Sequence, residues 1–260
     1  MARVTTNAKR EAAYLARVQK QVPYATSIAL NNIAKAAELH VKGLMPNVFD
    51  RPTPFTLRSL RLERANKRKL EAKLSFKDFA GKGVAASTYL WPQVHGGGRK
   101  KKRFEHSLSQ VGPSTYYVPA GGAEQDAYGN MSRGQLVKVL SYLQAFGEQG
   151  YRANATPNSM KRTARNVRGK DGYKRINGVV YFISRGKGSM SGNREQHLPA
   201  GVYVKSGIHG STLKMVLRAV DKEPVYAPRL PFYESIEEVY DGAFDREFNS
   251  ALDLAMKTAK

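Results

Sequence analysis

The chain of 260 residues contains no cysteine, which excludes disulfides, thiol nucleophiles and every Cys-ligated metal site. Long apolar runs are missing as well: no stretch approaches the roughly 20 residues that a membrane helix requires. The first residues lack the apolar core of a signal peptide, so the protein is expected to be made and kept in the cytoplasm, or in an assembly built there. Histidine is sparse and dispersed at His40, His95, His106, His197 and His209, with neither His-x-x-x-His spacing nor an adjacent carboxylate pair. No metal or other cofactor is expected. Acids outside one C-terminal segment are few, and none form the Asp-x-Asp pairs that suit a metal nuclease. The Gly-Lys-Gly triplets at 81–83 and 186–188 are too short for a phosphate-binding P-loop, and Tyr116-Tyr117 has no His and Arg constellation that would make a recombinase. The expectation is a protein that is not an enzyme.

What the chain has in abundance is positive charge. Lys and Arg number 43 against 21 Asp and Glu, a formal net charge of +22. The imbalance is uneven, because residues 231–256 hold seven acids (Glu234, Glu237, Glu238, Asp241, Asp245, Glu247 and Asp253) against Arg246 alone. A basic body with one acidic element attracts polyanions and also attracts copies of itself head to tail. At 41% hydrophobic residues the chain can bury a true core.

Hydrophobic spacing sketches the fold. Residues 8–45 read as helical, with Ile28, Ile33, Ala37, Val41, Leu44 and Met45 forming one stripe. Pro23 predicts a break or kink with a shorter helix before it, and Pro46 with the Pro52-Thr53-Pro54 run ends the segment. Thr56 is expected to cap a short helix reaching Arg64, on which Arg58, Arg61 and Arg64 would share a face. Leu70 to Lys77 alternates as a half-buried strand. Tyr89 to Val94 reads as an apolar strand or turn, Phe104 to Gln110 as a short helix, and 111–129 as irregular. Ser132 and Gln135 suggest a capping box for a helix bearing Leu136, Val139, Leu140 and Leu143. Residues 150–177 lose hydrophobic content and read as a long basic loop, ordered only beside a partner. Val179–Ser184, Val202–Lys205 and Leu213–Val220 follow as a meander. Pro231 opens a last helix with Ile236, Tyr240, Phe244, Phe248, Leu252 and Met256 at successive i, i+4 steps, a stripe expected to be buried.

The expected class is therefore α+β, with N-terminal helices, a small mainly antiparallel sheet and a long C-terminal helix packed on the sheet. Two regions are anticipated: a helical arm over 1–50, and an α+β domain over 51–260 with basic loop insertions at 96–104 and 150–177. Arg99, Lys100, Lys101, Lys102 and Arg103, together with Lys161, Arg162, Arg165 and Arg168, are candidates for contact with nucleic acid or an acidic partner. With no aromatic inside the 99–103 run, phosphate contact is indicated rather than base stacking. Tyr226, Phe232, Tyr233, Glu237, Glu238 and Asp241 are candidates for a subunit interface, with ordinary core packing as the competing reading of the three aromatics.

Several stretches in order resemble the bacteriophage minor tail protein Z, or tail-completion, family: VPYATSIALNNIAKAA (22–37), PTPFTLRSL (52–60), 70–78, YLWPQVHGGG (89–98), DAYGNMSRGQL (126–136), HLPAGVY (197–203) and YAPRLPFYE (226–234). The resemblance implies a non-enzymatic virion component, assembled in the bacterial cytoplasm, that forms a ring at the head-proximal end of the tail. Such a ring, generally sixfold, completes the tail and readies it for head joining. Implied partners are copies of itself and the adjoining tail-tube, tail-terminator or connector proteins, with packaged DNA or tape-measure protein in the lumen and no membrane. The alternative is a free-standing nucleic-acid-binding protein acting through its basic loops.

Overall fold

The computed structural model describes residues 7–81, 83–114, 116–143, 179–189, 192–195, 197–206 and 211–258. The expected basic loop over 150–177 lies outside them. The chain divides into two units: residues 1–97 with 226–260, and residues 98–225. The stretch anticipated as a separate arm over 1–50 thus shares a unit with the C-terminus.

The first unit is built on two long helices, α1 (Ala8–Val48) and the C-terminal α6 (Phe232–Thr258). They run antiparallel. Val41 and Met45, near the end of α1, share a core cluster with Phe232 at the start of α6, while Asn32 Nδ2 donates to Glu247 Oε2 at 3.0 Å further along. The buried side chains are mostly small: Ala25, Ala29, Ile33, Ala37 and Val41 on α1, and Ser235, Ala251 and Ala255 on α6. Small residues at four-residue spacing let two helix backbones approach closely along one seam.

Two expectations are corrected here. Helix α1 continues through Pro23 and through Pro46 to Val48. Proline removes one backbone hydrogen bond, and the seam begins at Ala25, directly after Pro23, so tertiary packing holds the turn that the missing bond would weaken. Thr26 Oγ1 and Ser27 Oγ add bonds to Val22 O and Tyr24 O in that turn. Second, the aromatic stripe of α6 is not its buried face. Tyr240 is exposed, and Ile236, Phe244, Phe248, Leu252 and Met256 are only half-buried. The small-residue face took the seam, leaving the aromatics along its flank.

Thr53 Oγ1 accepts from Thr56 N and caps a single turn, α2 (Pro54–Leu57). The helix expected to reach Arg64 does not form. Instead β1 (Leu60–Glu63) pairs antiparallel with β2 (Lys73–Phe76), which confirms the second half of the alternating 70–77 strand. Asn31 of α1 fastens this hairpin: its side chain donates to Ala65 O at 3.0 Å and accepts from Ala65 N at 2.8 Å. Tyr89 to Val94 is helical, inside α3 (Ala86–His95), which ends at Gly96 with φ +75 in the left-handed conformation glycine supplies. The first turn of α6 packs on the hairpin, Phe232 lying 4.6 Å from Phe76.

The chain leaves this unit through β3 (Gly97–Gly98) and returns through β10 (Val225–Tyr226). The second unit holds α4 (Arg103–Leu108), β4 (Tyr116–Pro119) and α5 (Arg133–Tyr142). Then come β5 (Val180–Ser184), the β6 (Lys187–Ser189)–β7 (Gly192–Glu195) hairpin, β8 (Gly201–Ser206) and β9 (Thr212–Val220). An antiparallel sheet of order β4-β9-β8-β5 carries a core of Leu108, Tyr117, Val139, Tyr181, Val202, Val216 and Leu217. Strand β4 falls inside the stretch read as irregular. Gly201 lets β8 pass close to the Leu217 carbonyl, where a Cβ would collide with backbone. Ser132 Oγ accepts from Gln135 N as expected, but the Gln135 side chain turns away to hold the 122–124 backbone, so the cap is one-sided.

The α1–α6 seam makes a direct prediction. Ala29→Leu inserts three carbons where no space exists and should cost about 1–3 kcal/mol of stability in denaturant unfolding. Leu39→Ala on the exposed side of α1 should stay within about 0.5 kcal/mol.

Candidate functional site

Three surfaces carry the chemistry of interest: a basic loop on the second unit, and an aromatic groove and an acidic helix face on the first.

The basic loop is organised by a residue that sequence reasoning passed over. Glu105, on α4, is fully buried. Its carboxylate accepts two hydrogen bonds from the Arg99 guanidinium, at 2.5 and 2.7 Å. It also accepts from Lys102 N at 2.7 Å, as an N-cap partner, and from Tyr117 N of β4 at 2.9 Å. Burial by itself would push this carboxyl up. The Arg99 hydrogen bond, the Lys102 and Tyr117 backbone donors and the Arg99 charge together outweigh burial and hold it below the usual carboxylate range. Arg99 also lies over the Tyr116 ring, as does Lys101 at 5.6 Å from its centroid.

Arg99 is therefore a structural arginine, committed to a buried bidentate pair that ties the loop to α4 and β4. Its expected role in gripping an acidic partner is corrected on that ground. Lys100, Lys101, Lys102 and Arg103 are exposed. Lys161, Arg162, Arg165 and Arg168 lie outside the described residues. The signal for Glu105 was present: it is the one acid between Asp78 and Glu124, set beside five consecutive bases.

The basic 58–73 stretch is partly self-neutralised. Arg61 reaches Glu63 at 3.2 Å and Asp78 at 3.9 Å, Lys69 reaches Glu71 at 3.4 Å, and Lys67 sits over the Tyr24 ring. Since Leu60–Glu63 is a strand, Arg58, Arg61 and Arg64 do not line one helical face.

Beside the start of α6 lies a groove of about 310 Å³, lined by Phe76, Trp91, Val94, His95, Phe232 and Tyr233 among others. Trp91 lies against His95 with the ring centroids 3.9 Å apart and the planes tilted by 36°, and His95 stands 5.7 Å from Tyr233. Trp91 is 59% and Tyr233 57% exposed, an unusual outlay of aromatic surface to water. Phe232 is corrected as an interface residue: it is buried in the core of the first unit, and only Tyr233 of that pair faces outward. Tyr226 is half-buried.

The acidic face is as the charge pattern anticipated. Glu234, Glu237, Glu238, Asp241, Asp245 and Asp253 are all exposed, and Glu247 alone turns in to meet Asn32. On a 3.6-residue period, Glu237 and Asp241 fall beside Tyr240, Phe244 and Phe248. An apolar strip edged by carboxylates results.

Among the described residues, no group of three His, Asp or Glu is placed to hold a metal ion, and no helix is long and apolar enough to cross a membrane. No protein-family model, curated protein or solved structure matches the chain.

Glu105 sets a pH dependence with a definite sign. Its folded-state pKa lies below the unfolded value of about 4.3, so its contribution is complete above that value and is lost as pH falls through the lowered folded value. Glu105→Gln removes the carboxylate charge that faces the Arg99 guanidinium in a nearly buried site. This variant should lose about 3–5 kcal/mol at pH 7 and show a flatter acid limb than the parent in pH-resolved thermal unfolding.

Proposed function

We propose that the protein is a structural subunit that joins copies of itself into a ring at the head-proximal end of a phage tail, where the ring completes the tail and readies it for a capsid. The observation that carries this reading is the exposed acidic face of α6 in a chain whose net charge is +22. A subunit with one negative surface and an otherwise basic body has complementary surfaces at different places, as a closed heterologous ring requires. The ordered resemblance to tail-completion proteins supplies the location.

Charge does not supply the affinity. An exposed ion pair contributes about 0–1 kcal/mol, so apolar area must accompany it. The Trp91–Tyr233 patch and the strip along α6 offer such area next to the acids, and burying aromatics at the centre of an interface is where binding energy concentrates. The adjoining proteins of the tail tube, terminator or connector are the further partners in this reading.

The competing reading, a free nucleic-acid binder, rests on exposed Lys100, Lys101 and Arg103. Nothing beyond their charge favours it, and the Glu105 pair removes Arg99 from that set.

Labelled protein is expected at one end of purified tails, in an integral number of copies. Reversing Glu237, Glu238 and Asp241 to Lys should reduce assembly at least tenfold while circular dichroism and melting temperature stay near the parent. Normal assembly of that variant would remove the acidic face from the interface. Replacing Lys100, Lys101 and Arg103 by Ala should leave assembly intact. A large loss of duplex DNA binding in a protein found outside particles would favour the competing reading.

A further inference from the structure

Helix α1 is longer than its partner. Its 41 residues span about 60 Å, against about 40 Å for the 27 residues of α6. The Asn32–Glu247 bond fixes the offset between them. From Glu247 to the end of α6 is about 16 Å, and the same distance back along α1 from Asn32 reaches about residue 21. Residues 8–20 therefore project past the end of α6 as about 20 Å of helix. Apart from half-buried Val18, every one of them is exposed.

This overhang is not a merely polar helix end. Tyr14 and Leu15 are 53% and 63% exposed, and Tyr14 and Val18 lie beside the line along which the four-residue spacing of the α1 seam would continue, through Gln21, Arg17 and Ala13. Arg10 and Arg17 stand four residues before and three after Tyr14, so both flank it. Lys9 and Lys20 add further positive charge, against Glu11 alone.

The strip on α6 is its counterpart: Tyr240, Phe244 and Phe248 in ring-to-ring succession at 5.1 and 6.0 Å, edged by Glu237, Asp241 and Asp245. Arg10 and Arg17 lie about 10 Å apart along their helix axis, and Glu237 and Asp245 about 12 Å apart along theirs. The overhang cannot reach the strip of its own copy. Tyr14 sits about 30 Å up the axis from the level of that strip, on a straight helix.

We infer that residues 8–20 of α1 dock along the Tyr240–Phe248 strip of α6 in a neighbouring copy, Tyr14 entering the aromatic row and Arg10 and Arg17 meeting its carboxylates. The inference rests on the ring reading and names its contact. The occupant is a second copy because the overhang combines the two properties the strip calls for, apolar side chains and flanking positive charge, and because the remainder of each copy is basic and repels it.

The absence of native cysteine makes the test direct. Tyr14→Cys and Tyr240→Cys variants, mixed and mildly oxidised, should form a disulfide-linked dimer at least tenfold more than a Leu39→Cys and Tyr240→Cys mixture. Arg10→Glu with Arg17→Glu should weaken assembly at least tenfold, and mixing with Glu237→Arg/Asp241→Arg should restore it. Rings that form, by native mass spectrometry and negative-stain imaging, without the Tyr14–Tyr240 link would overturn this contact and leave the ring reading standing. A chain that stays monomeric at every concentration and on isolated tails would overturn both.

Discussion

Close approach of α1 and α6 along a row of alanines governs the first unit. Where Ala25 and Ala29 lie level with Ala251 and Ala255, the two backbones come together and large side chains have no room between them. The aromatics of α6 are therefore displaced to the flank. Had the large residues taken the seam, the helices would stand further apart and α6 would show only carboxylates to water. As built, the same helix shows an apolar strip and acidic edges side by side, which a polar surface helix does not. Opposite α6 the seam occupies α1 from about residue 21 onward, and residues 8–20 lie outside it.

In the second unit the corresponding constraint is the buried Glu105 carboxylate. Burying one negative charge is unfavourable unless donors surround it, and Arg99 and Lys102 N from the loop before α4 and Tyr117 N from β4 do so. The basic loop is consequently anchored at its base by the residue that gives up its charge, while Lys100, Lys101 and Arg103 remain exposed. Formal charge overstates what this loop offers a partner. The same correction applies to 58–73, where Arg61 and Lys69 are already paired with neighbouring acids.

Much of this was legible in the sequence where periodicity is long. The span of α6 follows from its long i, i+4 run, the α5 start from the Ser132 cap, and the meander ending in β9 and the α+β class from successive β-rich runs between turn residues. Failures occurred where a short segment satisfies two templates. Leu60–Glu63 has two inward leucines, and Arg58, Arg61 and Arg64 in and around it stand at i, i+3 spacing, which fits a helix turn as well as a strand. Its pairing with Lys73–Phe76 is non-local, so no window contains the deciding information. Tyr-Leu-Trp-Pro-Gln-Val has the composition of a buried strand, yet Pro92 is tolerated inside α3 and buried there. For α6 the period was right and the phase was wrong: the largest apolar residues were assigned to the core, whereas contact depends on which face the partner helix can approach most closely. Glu105 escaped because a single acid among bases resembles noise in composition and becomes informative only when its burial is known.

The two uncovered surfaces on the α1–α6 pair also constrain the kind of assembly they can support. Each copy at +22 repels every other copy through most of its surface, so attraction is confined to the places where an acidic element meets a basic one. A single contact of that type, with ion pairs of about 0–1 kcal/mol each, would be lost to screening at ordinary salt. In the proposed contact, desolvating Tyr14 against Tyr240 and Phe244 would provide the part that salt does not weaken. Because the donor lies at one end of α1 and the acceptor midway along α6, engaging one leaves the other free on the same copy. In the proposed ring, successive copies would add with the same geometry until the rotation closes, and closure would satisfy every donor and acceptor at once. In the proposed ring, like-charge repulsion across the remaining surface acts against stacking of closed rings, so the charge that hinders association also limits it to one layer.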